Sequence, residues 1–294
     1  MRATLLVLLL TAGSSLAAQQ RQPNTDVFLA SIKLKGDKLE IGKALNVTSR
    51  PGYDNQPSFT PDGRSVLYTS TREDAQADIY RYDRRSKRST RLTTSAPESE
   101  YSATVMPDGK RFSVIRVERD STQRLWSFDM SGGDARVEIL NLKPVGYHVW
   151  IGPADVATYV LGSPNTLYVV KLATGTTRLV AHDIGRSLVR VPGKRAFTFL
   201  QRADSAWWLT LATVPPSGDV TTERLTRMPQ GADYVVWTKD GTAITASGTK
   251  LLIWRQGAAS WTEAADLSSQ GVEHVTRLAL SPDERTLAFV AEPR

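Results

Sequence analysis

The 294-residue sequence has no cysteine, only three histidines and four methionines, and no apolar run long enough to cross a bilayer. Without thiols there is no disulfide framework, no thiolate nucleophile and no site for lipid attachment. The histidines, His148, His182 and His274, do not stand at metal-ligand spacing to one another, and neither a "GxSxG" nor an "HExxH" pattern occurs. No cofactor and no metal ion are expected. The longest apolar run, Leu5 to Leu10, is far short of the roughly 20 residues of a membrane span.

That run follows Arg2 and precedes the small residues Ser15 and Ala17, the three-part layout of a secretory signal. Residues 1–18 are expected to be a cleaved signal peptide, which places the mature chain in the periplasm or outside the cell. Losing Arg2 leaves 37 − 1 = 36 basic residues against 30 acidic ones, a mild excess. The one basic cluster, Arg81, Arg84, Arg85, Lys87, Arg88 and Arg91, spans a turn between two strands and reads as a solvated hairpin tip. Nucleic acid is not an expected partner, and a monomer is expected.

Self-similarity organises the rest. "QPSFTPDGRSVLYTS", "ATVMPDGKRFSVI" and "LALSPDERTLAFV" repeat one hairpin, and Asp108 follows Asp62 by 108 − 62 = 46 positions. Each unit reads as four strands. The first runs from Gln56 to Thr93, the second from Ala103 to Leu140, and a degenerate third from His148 to Val180. A fourth begins near Leu188, a fifth covers Tyr234 to Leu267, and the sixth stops after two strands at the C-terminus. Thr25 to Thr48 reads as the missing half, with "LNVT" where other units end "RLT". The predicted fold is all-β, a six-bladed β-propeller of four-stranded blades over residues 25–294, its last blade completed by the N-terminal strands. Asp62, Asp108, Asp240 and Asp283 are structural turn residues in this reading.

The run Ser58 to Thr93, "SFTPDGRSVLYTSTREDAQADIYRYDRRSKRSTRLT", resembles the Pro-Asp-Gly propeller repeat of the TolB-type family. The second and sixth units resemble it well, the fifth in part, the third and fourth in strand order. In that family the repeat is preceded by an α/β domain that contacts envelope proteins, and in related peptidases a hydrolase domain follows. Here the resemblance covers the propeller, with only Gln19 to Asn24 between signal and first strand. It implies an exported propeller that binds something. A metal-dependent propeller lyase would by resemblance carry several histidines around a central ion, which this sequence does not offer.

Candidate binding groups come from the crossings that lead into each innermost strand: "GYDNQP", "ESEYSA", "GYHVW", "DIGRSL", "GADYVVW" and "GVEHVTR". In a propeller these surround one mouth of the central channel. They supply Tyr53, Asp54, Asn55, Glu100, Tyr101, Tyr147, His148, Arg186, Asp233, Tyr234, Glu273 and His274. Aromatic rings with carboxylates suit a glycan, a peptide segment of an envelope or secreted protein, or a cationic group. The expectation is a non-enzymatic binding module. The alternatives are a secreted hydrolase or lyase using Asp54, Glu100, Asp233 or His148 for acid–base work, and a purely structural envelope module. Of Trp207 and Trp208, adjacent on a strand, one must point outward.

Overall fold

The computed structural model describes residues 23–72 and 76–294; the expected signal peptide lies outside the described residues. Six four-stranded blades form a ring, and the only helical element among the described residues is the short turn Ser268–Gln270. No helix among them is long and apolar enough to cross a membrane. The six-bladed propeller read from the repeats is the fold.

The first blade is Tyr53–Phe59, Ser65–Thr71, Ala77–Asp83 and Arg88–Arg91, counted from channel to rim. The second to fifth blades have inner strands Ser99–Val105, Val145–Gly152, Ile184–Arg190 and Val235–Trp237. The sixth is composite. Its inner strands, Leu278–Leu280 and Thr286–Pro293, come from the tail, and Asp26–Lys35, Lys38–Ile41 and Leu45–Asn46 come from the head. Tail and head pair antiparallel, with Asp26 opposite Ala291, Phe28 opposite Phe289 and Ser31 opposite Thr286. This seam pairs the rim-side edge of Thr286–Pro293, which would otherwise lie open.

Apolar alternation divides each strand between two neighbours. In Ser65–Thr71, Val66 and Tyr68 pack toward the sixth blade while Leu67 packs toward the second. In the tail strand, Leu287, Phe289 and Ala291 face the fifth blade, and Ala288 and Val290 face the first. The core is therefore six clusters, one at each blade junction. Burial of each large side chain stabilises the ring by about 1.5–3 kcal/mol.

Turn chemistry accounts for the recurrent aspartates. Asp62 Oδ1 accepts from the Arg64 amide at 3.0 Å, Asp108 Oδ1 from Lys110 at 3.0 Å, Asp240 Oδ1 from Thr242 at 3.1 Å and Asp283 Oδ1 from Arg285 at 3.1 Å. Gly63, Gly109 and Gly241 follow with φ of 66°, 70° and 84°. In the sixth unit Glu284 occupies that left-handed position at φ 58°.

The "D-I-Y…L-T" part of the repeat also has a physical cause. In the first blade the Thr93 hydroxyl donates to Asp78 at 3.1 Å and accepts from the Ile79 amide at 2.9 Å. In the sixth, Thr48 does the same for Asp26 at 2.7 Å and the Val27 amide at 3.1 Å. "NVT" is thus a blade latch, with Asn46 Nδ2 donating to the other Asp26 oxygen at 2.8 Å.

Phe289 is fully buried and its ring stacks on Phe28 across the seam, centroids 5.3 Å apart. Urea unfolding of Phe289→Ala is expected to show a loss of about 3–5 kcal/mol. Leu140→Ala, at a side chain 61% exposed, stays within about 0.5 kcal/mol of the parent.

Candidate functional site

All six innermost strands converge on a channel cavity of about 170 Å³. Its lining includes Gln56, Ser102, Tyr147, His148, Arg186, Tyr234 and Arg277, and among the described residues no acidic side chain lines it. Two backbone features aim these side chains. Gln56 and Ser102 sit in the left-handed region, at φ 59° and 57°, within bulges of the first two inner strands. Gln56 Oε1 then accepts from the Ser102 amide at 2.7 Å and from Thr69 Oγ1 at 2.8 Å, tying the first two blades together at the channel wall.

Arg277 is the principal charge. Its guanidinium carbon lies 4.2 Å from the Tyr234 ring centroid and 5.2 Å from that of Tyr147, and Nη2 donates to the Tyr147 hydroxyl at 3.2 Å. Tyr53 is within electrostatic reach of Arg277, Tyr147, Tyr234 and Tyr101, and burial pushes its phenol well above the ordinary range. Burial likewise raises Tyr234. These phenols are neutral hydrogen-bonding groups at physiological pH. Arg186 stands exposed at the mouth, facing Tyr147, Tyr234 and Tyr159. Among the described residues, neither arginine has a carboxylate within ion-pair distance.

Arg186 and Tyr234 are shared with a groove of about 270 Å³ that runs outward past Tyr159, Asn165, Gly185, Trp207 and Asp233. Trp207 is 38% exposed, whereas Trp208 is half-buried beneath Arg224, its Nε1 donating to the Ala203 carbonyl at 3.3 Å. A Cβ at Gly185 would lie 3.1 Å from Leu200, so glycine keeps the groove floor low.

The predicted residues divide. Tyr147, His148, Arg186 and Tyr234 line the channel, with Tyr53 and Tyr101 beside them and Asp233 in the groove. Asn55 is buried in the first inner strand, its Nδ2 3.4 Å from Thr25 Oγ1. Asp54 and Glu100, expected at the mouth, are instead fully buried within the blade walls. Asp54 pairs with Arg50 at 3.2 Å, and burial outweighs that pairing and the Ser70 hydrogen bond to raise its pKa. Glu100 is pushed up to about 7 by burial. Arg116 Nε is 3.3 Å away, but its Nη2 is committed to Glu98 at 2.7 Å and the Nε hydrogen finds no partner.

Glu273 and His274 are not among the residues that line the cavity. The crossing into the sixth blade turns through Ser268–Gln270 and pairs Glu273 with Glu292, on the edge of Thr286–Pro293 opposite the head strand. Both side chains are exposed there, with Arg294 Nε donating to Glu273 at 2.8 Å and His274 Nδ1 3.2 Å from Glu292.

His148 is buried and its pKa falls to about 3 because burial disfavours the imidazolium. Its Nε2 lies 2.7 Å from Ser113 Oγ, which also accepts from Trp150 Nε1 at 2.8 Å. Ser113 is fully buried on the second strand of its blade, so this pair holds blades together and presents no nucleophile to the cavity. Among the described residues no cluster of three His, Asp or Glu side chains is disposed to hold a metal ion.

Arg277 escaped the crossing-loop reading, yet the sequence carried a signal for it. Gln56, Ser102, Tyr234 and Arg277 each stand six positions before a turn aspartate, at 62, 108, 240 and 283, and all four line the channel.

The chain matches no protein-family model. Solved structures similar to it include a protein of Agrobacterium tumefaciens described as TolB, with a TM-score of 0.69 and 16% identity over 91% of this chain and 98% of that one. A gluconolactonase of Xanthomonas campestris aligns with a TM-score of 0.64 and 10% identity over 93% and 99%. A chain of a nidogen/laminin complex aligns with a TM-score of 0.60 and 11% identity over 92% and 100%. At these identities the likeness is one of fold.

Two titrations test the buried groups. Glu100 has a folded pKa above its unfolded 4.5, so the native state binds the extra proton and stability falls as pH rises from about 4.5 to 7. Glu100→Gln removes that fall, and urea titrations of both proteins at pH 5 and 7.5 read the difference. His148 is depressed below 6.5, so its share of stability is present above that pH and is lost as pH falls toward 3. Its imidazole carbon-bound proton resonances are expected to stay constant from about pH 5 to 8.

Proposed function

We propose that this chain is an exported, non-enzymatic binding propeller that holds an extended segment of a protein partner across the groove and the channel mouth. The observation that carries this reading is the continuity of the two hollows. The groove floored by Gly185 and walled by Trp207 opens into the tyrosine-lined channel through Arg186 and Tyr234, which belong to both. An extended chain lies in such a track with one end turned into the channel. Rigid aromatic side chains on a stiff scaffold give contact area at low cost in side-chain entropy. Export to the periplasm or beyond rests on the layout of residues 1–18.

The hydrolase or lyase alternative requires acid and base groups around one reacting atom. Asp54 and Glu100 lie in separate blade walls, His148 is tied to Ser113, and Asp233 borders the groove. That dispersal favours the binding reading.

The decisive comparison is between the parent protein and the double variant Tyr147→Ala/Tyr234→Ala in cross-linking capture from the native envelope, read by mass spectrometry. Loss of the partner by about tenfold or more, with strand circular dichroism retained, is the expected result. Trp207→Ala, at an exposed ring, weakens the same capture without lowering the unfolding midpoint. Equal capture by parent and variants overturns the reading.

A further inference from the structure

Arg277 presents an electrostatic imbalance. It is half-buried, its contacts are the faces of Tyr147 and Tyr234 and one phenol oxygen, and the cavity around it has no acidic lining residue. Arg186 stands close enough at the mouth for the two cations to repel one another. The carboxylates nearest in sequence to the channel face are taken up elsewhere: Asp54 by Arg50, and Glu100 inside its wall near Arg116. Asp233 borders the groove beyond Arg186 and not the cavity. The fourth charged candidate, His148, is neutral in this setting. Among the described residues, two guanidinium groups are thus gathered at a partly dry cavity without a counter-charge. Burying a cation this way costs stability unless something neutralises it.

We infer that the channel is a carboxylate site, in which Arg277 and Arg186 grip an acidic side chain or the C-terminal carboxylate of the partner segment, with the phenol hydroxyls of the tyrosine collar as further donors. The inference rests on the proposed function for the identity of the ligand. The planar guanidinium fork matches a carboxylate through paired hydrogen bonds, and stacking on tyrosine holds the fork in place before the ligand arrives. A volume of about 170 Å³ admits the end of one side chain and excludes a folded loop. The groove then orients the rest of the segment, so that specificity is divided between an anionic tip and an aromatic-lined track.

The test uses the full chain and three probes: succinate, an oligomeric uronate, and linear peptides selected from a random library. Selected peptides are expected to share an Asp, a Glu or a required free C-terminus. Replacing that carboxylate by its amide weakens binding about thirtyfold or more, and against Arg277→Gln the acid and amide forms bind alike. Arg277→Lys keeps the charge without the fork and recovers little of the affinity. Arg277→Gln in the ligand-free protein does not lower the unfolding midpoint, because an uncompensated cation has been removed. A purely packing role for Arg277 predicts the opposite, and a lowered midpoint with unchanged peptide affinity overturns the site. Peptides that depend on Trp207 but carry no acidic group and ignore Arg277→Gln also overturn it, while leaving the binding function standing. Succinate binding that needs Arg277, without any peptide that depends on Trp207 or Tyr234, upholds the anion site and removes the protein-partner reading. Tighter, Arg277-dependent binding of the uronate overturns the assignment to a peptide, and no Arg277-dependent binding of any probe overturns the site itself.

Discussion

The antiparallel seam between Thr286–Pro293 and Asp26–Lys35 is the constraint from which the remaining geometry follows. A propeller blade buries its faces only against neighbours, so an unclosed ring would expose two apolar faces and an unpaired edge. The seam supplies two of the six junction clusters and the Phe28–Phe289 stack. It also reaches the channel directly. The Thr25 amide donates to the Gly52 carbonyl at 3.0 Å, and the Asp54 amide donates to the Thr25 carbonyl at 2.9 Å. The strand that completes the sixth blade thereby sets where Tyr53 enters the first, and the inner strand beginning after Arg277 belongs to the same composite sheet. Closure and the mouth are one structure.

Charge is sorted by depth in this ring. Carboxylates such as Asp26, Asp54, Asp78 and Glu100 lie buried within or between blades; hydroxyls, amides and arginines hold Asp26 and Asp78, while Asp54 and Glu100 each keep one oxygen without a hydrogen-bond partner. The channel instead receives guanidinium groups, tyrosines and a neutral histidine. A polar group in a blade wall depends on local partners, and where they fall short, as at Glu100, burial raises the carboxyl pKa instead. A cavity in contact with solvent has no such requirement. An unbalanced group there is tolerable in the free protein and is compensated on binding. The propellers similar in fold include one from a protein–protein complex and one gluconolactonase. A fold shared by such different proteins does not by itself name a function.

Much of the fold was legible because its determinants are local and repeated. Pro-Asp-Gly places a left-handed residue after an aspartate that caps its own turn, and alternation in "SVLYTS" splits Val66 and Tyr68 from Leu67 across two junctions. The latch formed by Asp78 with Thr93, and again by Asp26 with Thr48, is written in the same residues at both ends of the chain. The split of one unit between the termini then implies closure without any coordinate.

The site was legible only in part. The sequence by itself determined the number of blades, the turn aspartates and the recurrence of tyrosine at the crossings, since these depend on backbone propensity and period. Tertiary structure alone decided which crossing residues meet. Bulges at Gln56 and Ser102 redirect the first two inner strands, sending Asp54 and Glu100 into the walls, because in a strand one added residue exchanges the faces. The crossing before the sixth blade engages Glu273 and His274 with Glu292, away from the cavity lining, and delivers Arg277, three residues on, to the channel. Side-chain direction at such joints is set by the closed ring and not by any local pattern.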